Sequence, residues 1–238
     1  MSQAPLAVTD RSSTHKVNNK SIGVLYEDDC YMVFDKPPGL LVIPSPKQEK
    51  NTLVSLVNQL YATKDEASLH PCHRLDRDTS GVILFAKGKK YQQLMMHEFM
   101  RQKVKKKYIA FVDGHLKHKA GTVRSPIIDF DARQHAARRP HSKMAVTHFQ
   151  VTQSRATYSV VEIIPETGRT NQIRIHMSQM GHPLLGDRKY GEGKNFSVKF
   201  KRAALHASEI EWPHPVYHRT MKTKSPLAED MKDFLGRN

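Results

Sequence analysis

The sequence predicts an α+β fold on a mixed, largely antiparallel sheet flanked by helices and loops. Three observations carry that expectation. With 238 residues, 38% of them apolar, the chain can bury one sizeable core. Short apolar runs bounded by turn residues recur along it, among them Tyr31-Met32-Val33-Phe34 and Val82-Ile83-Leu84-Phe85-Ala86. Helical and strand patterns alternate irregularly, with no βαβ rhythm and no internal repeat.

Residues 1–20 are rich in Ser, Thr, Asn and Lys and are expected to form a flexible polar tail. One globular unit is expected over 21–238, with order beginning near Ile22. The turn signal Lys36-Pro37-Pro38-Gly39 ends the first strand, and residues 40–43 read as a second. Leu53, Leu56, Val57 and Leu60 then recur at helical spacing, with Asn51 or Thr52 as N-cap. A second helix is predicted over 89–102, with Tyr91, Leu94, Met95 and Phe99 on a core face. Residues 108–112 read as a strand closed by Asp113-Gly114. Residues 146–152 and 157–164 read as the strands of a hairpin, followed by the turn Pro165-Glu166-Thr167-Gly168. A helix starting near Thr170 carries Ile173, Met177 and Met180 on one face, and Gly181 and Pro183 stop it.

Charge narrows the partner. The chain holds 38 Lys+Arg against 23 Asp+Glu, a net charge of +15. A surplus of this kind serves a polyanion, because each cation placed at a phosphate releases condensed counterions; the plainer reading is a soluble basic surface. Four lysines within 103–107, and Arg133, Arg138, Arg139 and Lys143 within 133–143, read as surfaces for a nucleic-acid backbone or as solvated charged faces. Cys30 and Cys72 make no disulfide framework. His70-Pro71-Cys72-His73 has no second ligand pair at zinc spacing, so no metal is expected. No apolar run approaches the ~20 residues that span a bilayer, and residues 1–20 lack the apolar stretch of a signal peptide. A reducing, cytoplasmic setting without a membrane partner is the expectation.

The segment His73-Arg74-Leu75-Asp76-Arg77-Asp78-Thr79-Ser80-Gly81 stands out. A loop aspartate beside two arginines is ordinarily a capping or ion-pair residue. Asp76, however, lies in a dense polar loop that opens directly into a buried strand, a rigid base of the kind that carries functional groups. Arginines flank it, and Thr79-Ser80-Gly81 forms a turn able to aim the preceding side chains into a cleft.

This segment, with Ala86-Lys87 after it, resembles the signature of the RluA-type RNA pseudouridine synthases. Four further segments are similar to family blocks in the same order. Lys107-Tyr108-Ile109-Ala110-Phe111-Val112-Asp113-Gly114 resembles the tyrosine strand. Pro165-Glu166-Thr167-Gly168-Arg169-Thr170-Asn171-Gln172-Ile173-Arg174-Ile175-His176 resembles the arginine helix. Gly181-His182-Pro183-Leu184-Leu185-Gly186-Asp187 and Leu205-His206-Ala207 complete the set. The resemblance spans residues 22–226. Two features depart from it. About twenty polar residues stand where many relatives carry an S4-type RNA-binding domain, which bears on the choice of target. Asn171 stands where a histidine is common, and an Asn can still hydrogen-bond.

The resemblance implies the pseudouridine synthase fold, with residues 21–238 as the catalytic domain around a basic cleft. It implies a cofactor-free isomerase acting on uridine in structured RNA, a ribosomal or transfer RNA stem-loop; a monomer is the default expectation. The reaction breaks the N1–C1′ bond, turns the freed uracil and joins C5 to C1′, so nothing is oxidised. A carboxylate must meet the sugar as nucleophile or base, and the resemblance assigns this to Asp76. It assigns to Arg174 the bidentate grip that keeps such a carboxylate charged in a dry pocket. Tyr108 would stack on the uracil, with its hydroxyl a candidate base for the C5 proton, and Ile175 would pack against the base. Arg74 would brace the space left by the extruded nucleotide. His73, Arg169 and Lys107 complete the expected substrate-binding set. The alternative is an RNA-binding or ribosome-assembly factor that keeps the fold without catalysis; the intact set Asp76, Tyr108 and Arg174 argues against it. A metal-dependent nuclease would need a carboxylate cluster that the sequence lacks.

Overall fold

A computed structural model describes residues 14–17, 20–61, 68–128, 142–196 and 198–238. The first half runs β1 (Thr14–Val17), β2 (Lys20–Glu27), β3 (Tyr31–Lys36), α1 (Leu53–Tyr61), β4 (Leu69–Pro71), β5 (Ser80–Lys87) and α2 (Lys89–Met100). Then come β6 (Lys105–Asp113), β7 (Ala120–Ile128), β8 (Ser142–Ser154), β9 (Tyr158–Pro165), α3 (Gln172–Gln179), β10 (Leu205–Pro213), β11 (Thr220–Lys224) and α4 (Glu229–Arg237).

The strands form one sheet in the order β1-β2-β3-β5-β10-β6-β9-β8-β7, with β4 beside β5 and β11 beside β10. Strands β5 and β10 run parallel; the other pairs are antiparallel. The mixed, largely antiparallel α+β architecture read from the sequence is the one found. The late strand β10 inserts between an early group ending in β5 and a later group beginning with β6, and so joins the two halves.

Continuous apolar runs become central strands. Tyr31, Met32, Val33 and Phe34 of β3 and residues 82–86 of β5 are all buried, as strands covered on both faces require. Each buried Val, Leu, Ile, Phe or Met among them stabilises the fold by roughly 1.5–3 kcal/mol. Where β5 meets β10 the backbones come very close. Gly81 has φ 104°, and a Cβ there would stand 2.1 Å from the Ala207 carbonyl oxygen, so no other residue fits.

Several expectations change. Residues 40–43 are not a strand. The Leu41 and Val42 carbonyls instead accept from the Leu53 and Val54 amides at 2.7 and 3.0 Å, closing the first turn of α1. Thr52 does cap that helix: the Ser55 amide donates to Thr52 Oγ1 (3.4 Å), and the Thr52 amide donates back to Ser55 Oγ (3.0 Å). On α2 Met95 is buried, but Leu94, read as core, is 39% exposed. Thr14–Val17, within the expected tail, pairs with β2, whose first residue is Lys20. Arg133, Arg138 and Arg139 lie outside the described residues. Strands β7, β10 and β11 and helix α4 had no strong sequence signal.

Candidate active site

A cavity of about 1010 Å³ opens where β5, β6, β10 and the start of α3 converge. Its wall takes His73, Arg74, Leu75 and Asp76 from the β4–β5 loop, Tyr108 from β6, Leu205 from β10, and Arg169 to Arg174 from the approach to α3. Among the described residues lining it, Asp76 is the one carboxylate, facing the cations Arg74, Arg77, Lys106, Arg169 and Arg174.

The Asp76 loop is clamped from behind. The Thr79 amide donates to the Asp76 carbonyl at 3.1 Å, closing a turn. Two buried cations bind the next carbonyls. Lys36 Nζ donates to Arg77 O at 3.0 Å as well as to Pro37 O and Leu40 O. Arg202 Nη1 donates to Asp78 O at 2.8 Å, and its Nε is tied to Asp230 of α4 at 2.7 Å. His73 Nε2 accepts from the Leu84 amide at 3.1 Å, and burial pushes its imidazole down to about 3. His73 lines the cavity, yet its acceptor nitrogen anchors the loop to β5. Leu75 is buried beneath. Backbone bonds to charged donors are among the stronger ones, so Asp76 is held by a rigid frame although it sits on a loop.

Arg174 lies opposite, its Nη1 3.6 Å from Asp76 Oδ2. Its fork, however, is given to Asp187: Nε to Oδ2 at 2.7 Å and Nη2 to Oδ1 at 2.8 Å. Nη1 also donates to Asn171 Oδ1 at 2.8 Å, and the guanidinium lies 5.0 Å from the Tyr190 ring centre. The resemblance implied a bidentate grip of Arg174 on Asp76; the bidentate partner is Asp187, whose side chain is fully buried. Burial alone would raise the Asp187 carboxyl, but bonds from Arg174 and the Tyr190 and Lys189 amides outweigh it and hold it below its ordinary value. Asp76 goes the other way. Burial raises it, Arg174 and Arg74 pull it down without cancelling that rise, and Asp187 adds to it. Asn171, the departure from the family pattern, takes part directly in holding Arg174, in a left-handed conformation (φ 56°) at the mouth of α3. Gln172 fastens that mouth to β8 through Val146 O and Thr147 Oγ1, both at 2.9 Å.

Strand and helix periods sort the remaining residues. Tyr108 faces the cavity and is 8% exposed; burial and then the Asp76 charge push its phenol up, so it stays protonated at neutral pH. Residues alternate across a strand, which puts Lys106 beside Tyr108 and turns Lys107 away, onto Glu162 at 3.2 Å. Lys107 therefore stands outside the cavity wall. Helix geometry does the same on α3: Ile173 lines the cavity and Ile175 does not. Arg74 and Arg169 are on the wall, Arg74 exposed at the rim. Sequence reasoning missed Asp187; it took Lys106 only as one of the run 103–107 and Ile173 only as part of the helix's apolar face. Asp187 closes the fourth block of the resemblance, the one signal that could have found it.

Among the described residues, Asp28, Cys30 and His214 come closest to a metal-ligand set, with ligand atoms within 4.8 Å. Hydrogen bonding occupies the Asp28 carboxylate and both His214 ring nitrogens. His214 Nδ1 accepts from the Val216 and Tyr217 amides (3.2 and 3.0 Å), so the proton of the neutral ring sits on Nε2, 3.0 Å from Asp28 Oδ2. Asp28 also accepts from the Tyr26 hydroxyl and the Cys30 and Tyr31 amides. The group is a polar knot joining the β2–β3 turn to the end of β10.

The fold is that of pseudouridine synthases. A solved human protein, RNA Pseudouridylate Synthase Domain Containing 4, superposes with a TM-score of 0.73 at 27% identity, covering 90% of this chain and 92% of its own. A family model described as RNA pseudouridylate synthase matches residues 30–179. The uncharacterized RNA pseudouridine synthase YhcT of Bacillus subtilis is 37% identical over 219 residues, 90% of this chain and 71% of that protein. Ribosomal large subunit pseudouridine synthase D of Haemophilus influenzae is 33% identical over 239 residues, 93% and 72% of the two chains. The chain belongs to the RNA pseudouridylate synthase family, and its activity is that of an isomerase acting on RNA. Among the described residues no helix is long and apolar enough to cross a membrane.

Proposed function

We propose that this chain converts specific uridines of structured RNA to pseudouridine, with Asp76 attacking the flipped-out nucleotide. The observation that carries the proposal is the meeting of Asp76, Arg174 and Tyr108 on one cavity wall, with Arg174 Nη1 3.6 Å from the Asp76 carboxylate. The target base leaves its stack to enter the cavity, at a cost of a few kcal/mol. The Asp76 carboxylate then acts at the sugar, either by attack on C1′ or by removing a C2′ proton to leave a glycal; both routes break N1–C1′. The uracil turns and C5 joins C1′ as the Asp76–C1′ bond breaks or, on the glycal route, as the Asp76 carboxyl returns its proton to C2′; the C5 proton leaves and N1 gains one, so atoms balance without a cofactor. The Tyr108 ring stacks on the uracil, and its hydroxyl, held protonated by burial, serves as a hydrogen-bond donor and not as the acceptor of the C5 proton. Arg74, exposed on the rim, braces the vacated stack.

Relatives named for the large ribosomal subunit favour ribosomal RNA as the substrate class. Asp76→Asn keeps the shape and removes the charge. It is expected to leave folding and RNA affinity largely intact and to lower product formation by ~10⁴-fold or more. Mapping pseudouridine in ribosomal and transfer RNA incubated with each protein decides it; an active Asp76→Asn enzyme sinks the assignment.

A further inference from the structure

Three of the five cations lining the cavity have an evident role. Arg174 is held by Asp187 and faces Asp76, Arg77 pairs with Glu49 at 3.3 Å, and Arg74 projects from the rim. Lys106 and Arg169 remain, and neither has an acidic partner among the described residues. Lys106 Nζ stands 3.7 Å from where a Cβ on Gly168 would lie, so β6 brings it up to the turn that carries Arg169, and both line the cavity. The Phe99 ring lies 5.9 Å from it, and the His73 imidazole is near enough to feel its charge. Arg169 Nε is buried and has no hydrogen-bond partner. Burial with no counter-ion pushes the Lys106 ammonium down to about 8, which leaves it mostly charged at neutral pH. Two unpaired donors lining one cavity are costly unless an anion joins them.

We propose that Lys106 and Arg169 form a subsite for one RNA backbone phosphate next to the target uridine. The proposal rests on the reading of this chain as an RNA pseudouridine synthase. A phosphate here would take charge-assisted bonds from both cations, fix the register of the strand and leave the uridine free to turn into the pocket. Burial of Lys106 beside the Phe99 ring makes the pair stronger than exposed lysines would be, since water screens it less.

Counterion release tests it. Binding of a fluorescein-labelled RNA hairpin with an all-uridine loop is followed by anisotropy over a range of salt. The double variant Lys106→Met/Arg169→Gln is expected to flatten the slope of log K against log salt by one phosphate's worth, ~0.7–0.9. Lys106→Arg/Arg169→Lys keeps the charges and should keep the slope. An unchanged slope in the double variant overturns the subsite, and a loss worth two phosphates overturns the sharing of one. Because the Lys106 charge has no counter-ion to lose, Lys106→Met alone should leave Tm unchanged or raise it; a clear fall makes Lys106 structural and overturns the proposal. Chemistry is read separately. The expected slope change between wild type and double variant, together with a wild-type protein that makes no pseudouridine in cellular RNA, defeats the functional reading and not the subsite. One that fails to bind the hairpin even at low salt defeats both.

Discussion

At the scale of single residues the site is a three-charge cluster, Asp76–Arg174–Asp187, and the arginine belongs more to the buried aspartate than to the reactive one. Asp187 holds the guanidinium in plane and shares its charge, so Asp76 is only partly neutralised. The groups facing Asp76 are Arg174 from α3, Arg74 from its own loop, Asp187, and Tyr108 from β6. Since the net shift of Asp76 is upward and its ionised form does the chemistry, activity should fall on the acid side at a pH above the ordinary aspartate range. Asp187→Asn removes one of the charges that raise Asp76 and should move that acid limb to lower pH. It should also cost ~3 kcal/mol of stability by unpairing a buried arginine and lower kcat by ~10²-fold through a loosened guanidinium. A pH–rate profile with an unmoved limb, at whatever kcat, would reduce Asp187 to a packing residue.

At the scale of elements, loops and strand contacts hold the chemistry in place. The Asp76 loop is pinned by Lys36, the last residue of β3, and by Arg202, which α4 anchors through Asp230. The loop feeds β5 at the point where β5 touches β10. Gly81→Ala would place a methyl group on the Ala207 carbonyl at a φ that disfavours it, and is expected to cost ~3 kcal/mol. Denaturant titration should show the loss, and the remaining folded protein should make less product because Asp76 moves with the strand. A fully stable Gly81→Ala protein would mean that β5 and β10 can part without consequence for the loop.

Over the whole molecule, buried histidines link stability to pH. His206 lies in the core contact of β10 with β5, 1% exposed, with Nδ1 3.0 Å from Ser80 Oγ. Burial pushes it down to about 4, and the neighbouring Arg202 adds to the fall. Unfolded, it titrates near 6.5. Between about pH 6.5 and 4 the unfolded chain therefore binds a proton that the folded one refuses, and stability falls as pH falls, by up to ~1.4 kcal/mol per unit. His73, pushed down to about 3, acts in the same direction. The urea midpoint should be lower at pH 5 than at pH 7, and His206→Asn should flatten the difference. An equal midpoint at the two pH values would show that His206 is free to charge in the fold.

Local pattern was enough for strands β3, β5, β6, β8 and β9, for helices α1 to α3, and for the kind of sheet they build, because apolar period and turn residues act within a few positions. The resemblance placed Asp76, Tyr108 and Arg174 in one site, and the fold brings all three to one wall. Which neighbour faces that wall was beyond a local reading. Lys106 rather than Lys107, and Ile173 rather than Ile175, point inward because register against β9, β10 and β8 turns each element as a unit. Strand β10 carries its contacts to residues about a hundred positions away, and Asp187 meets Arg174 across a turn. Such pairings depend on chain segments that no short window contains, and they emerge when the core closes.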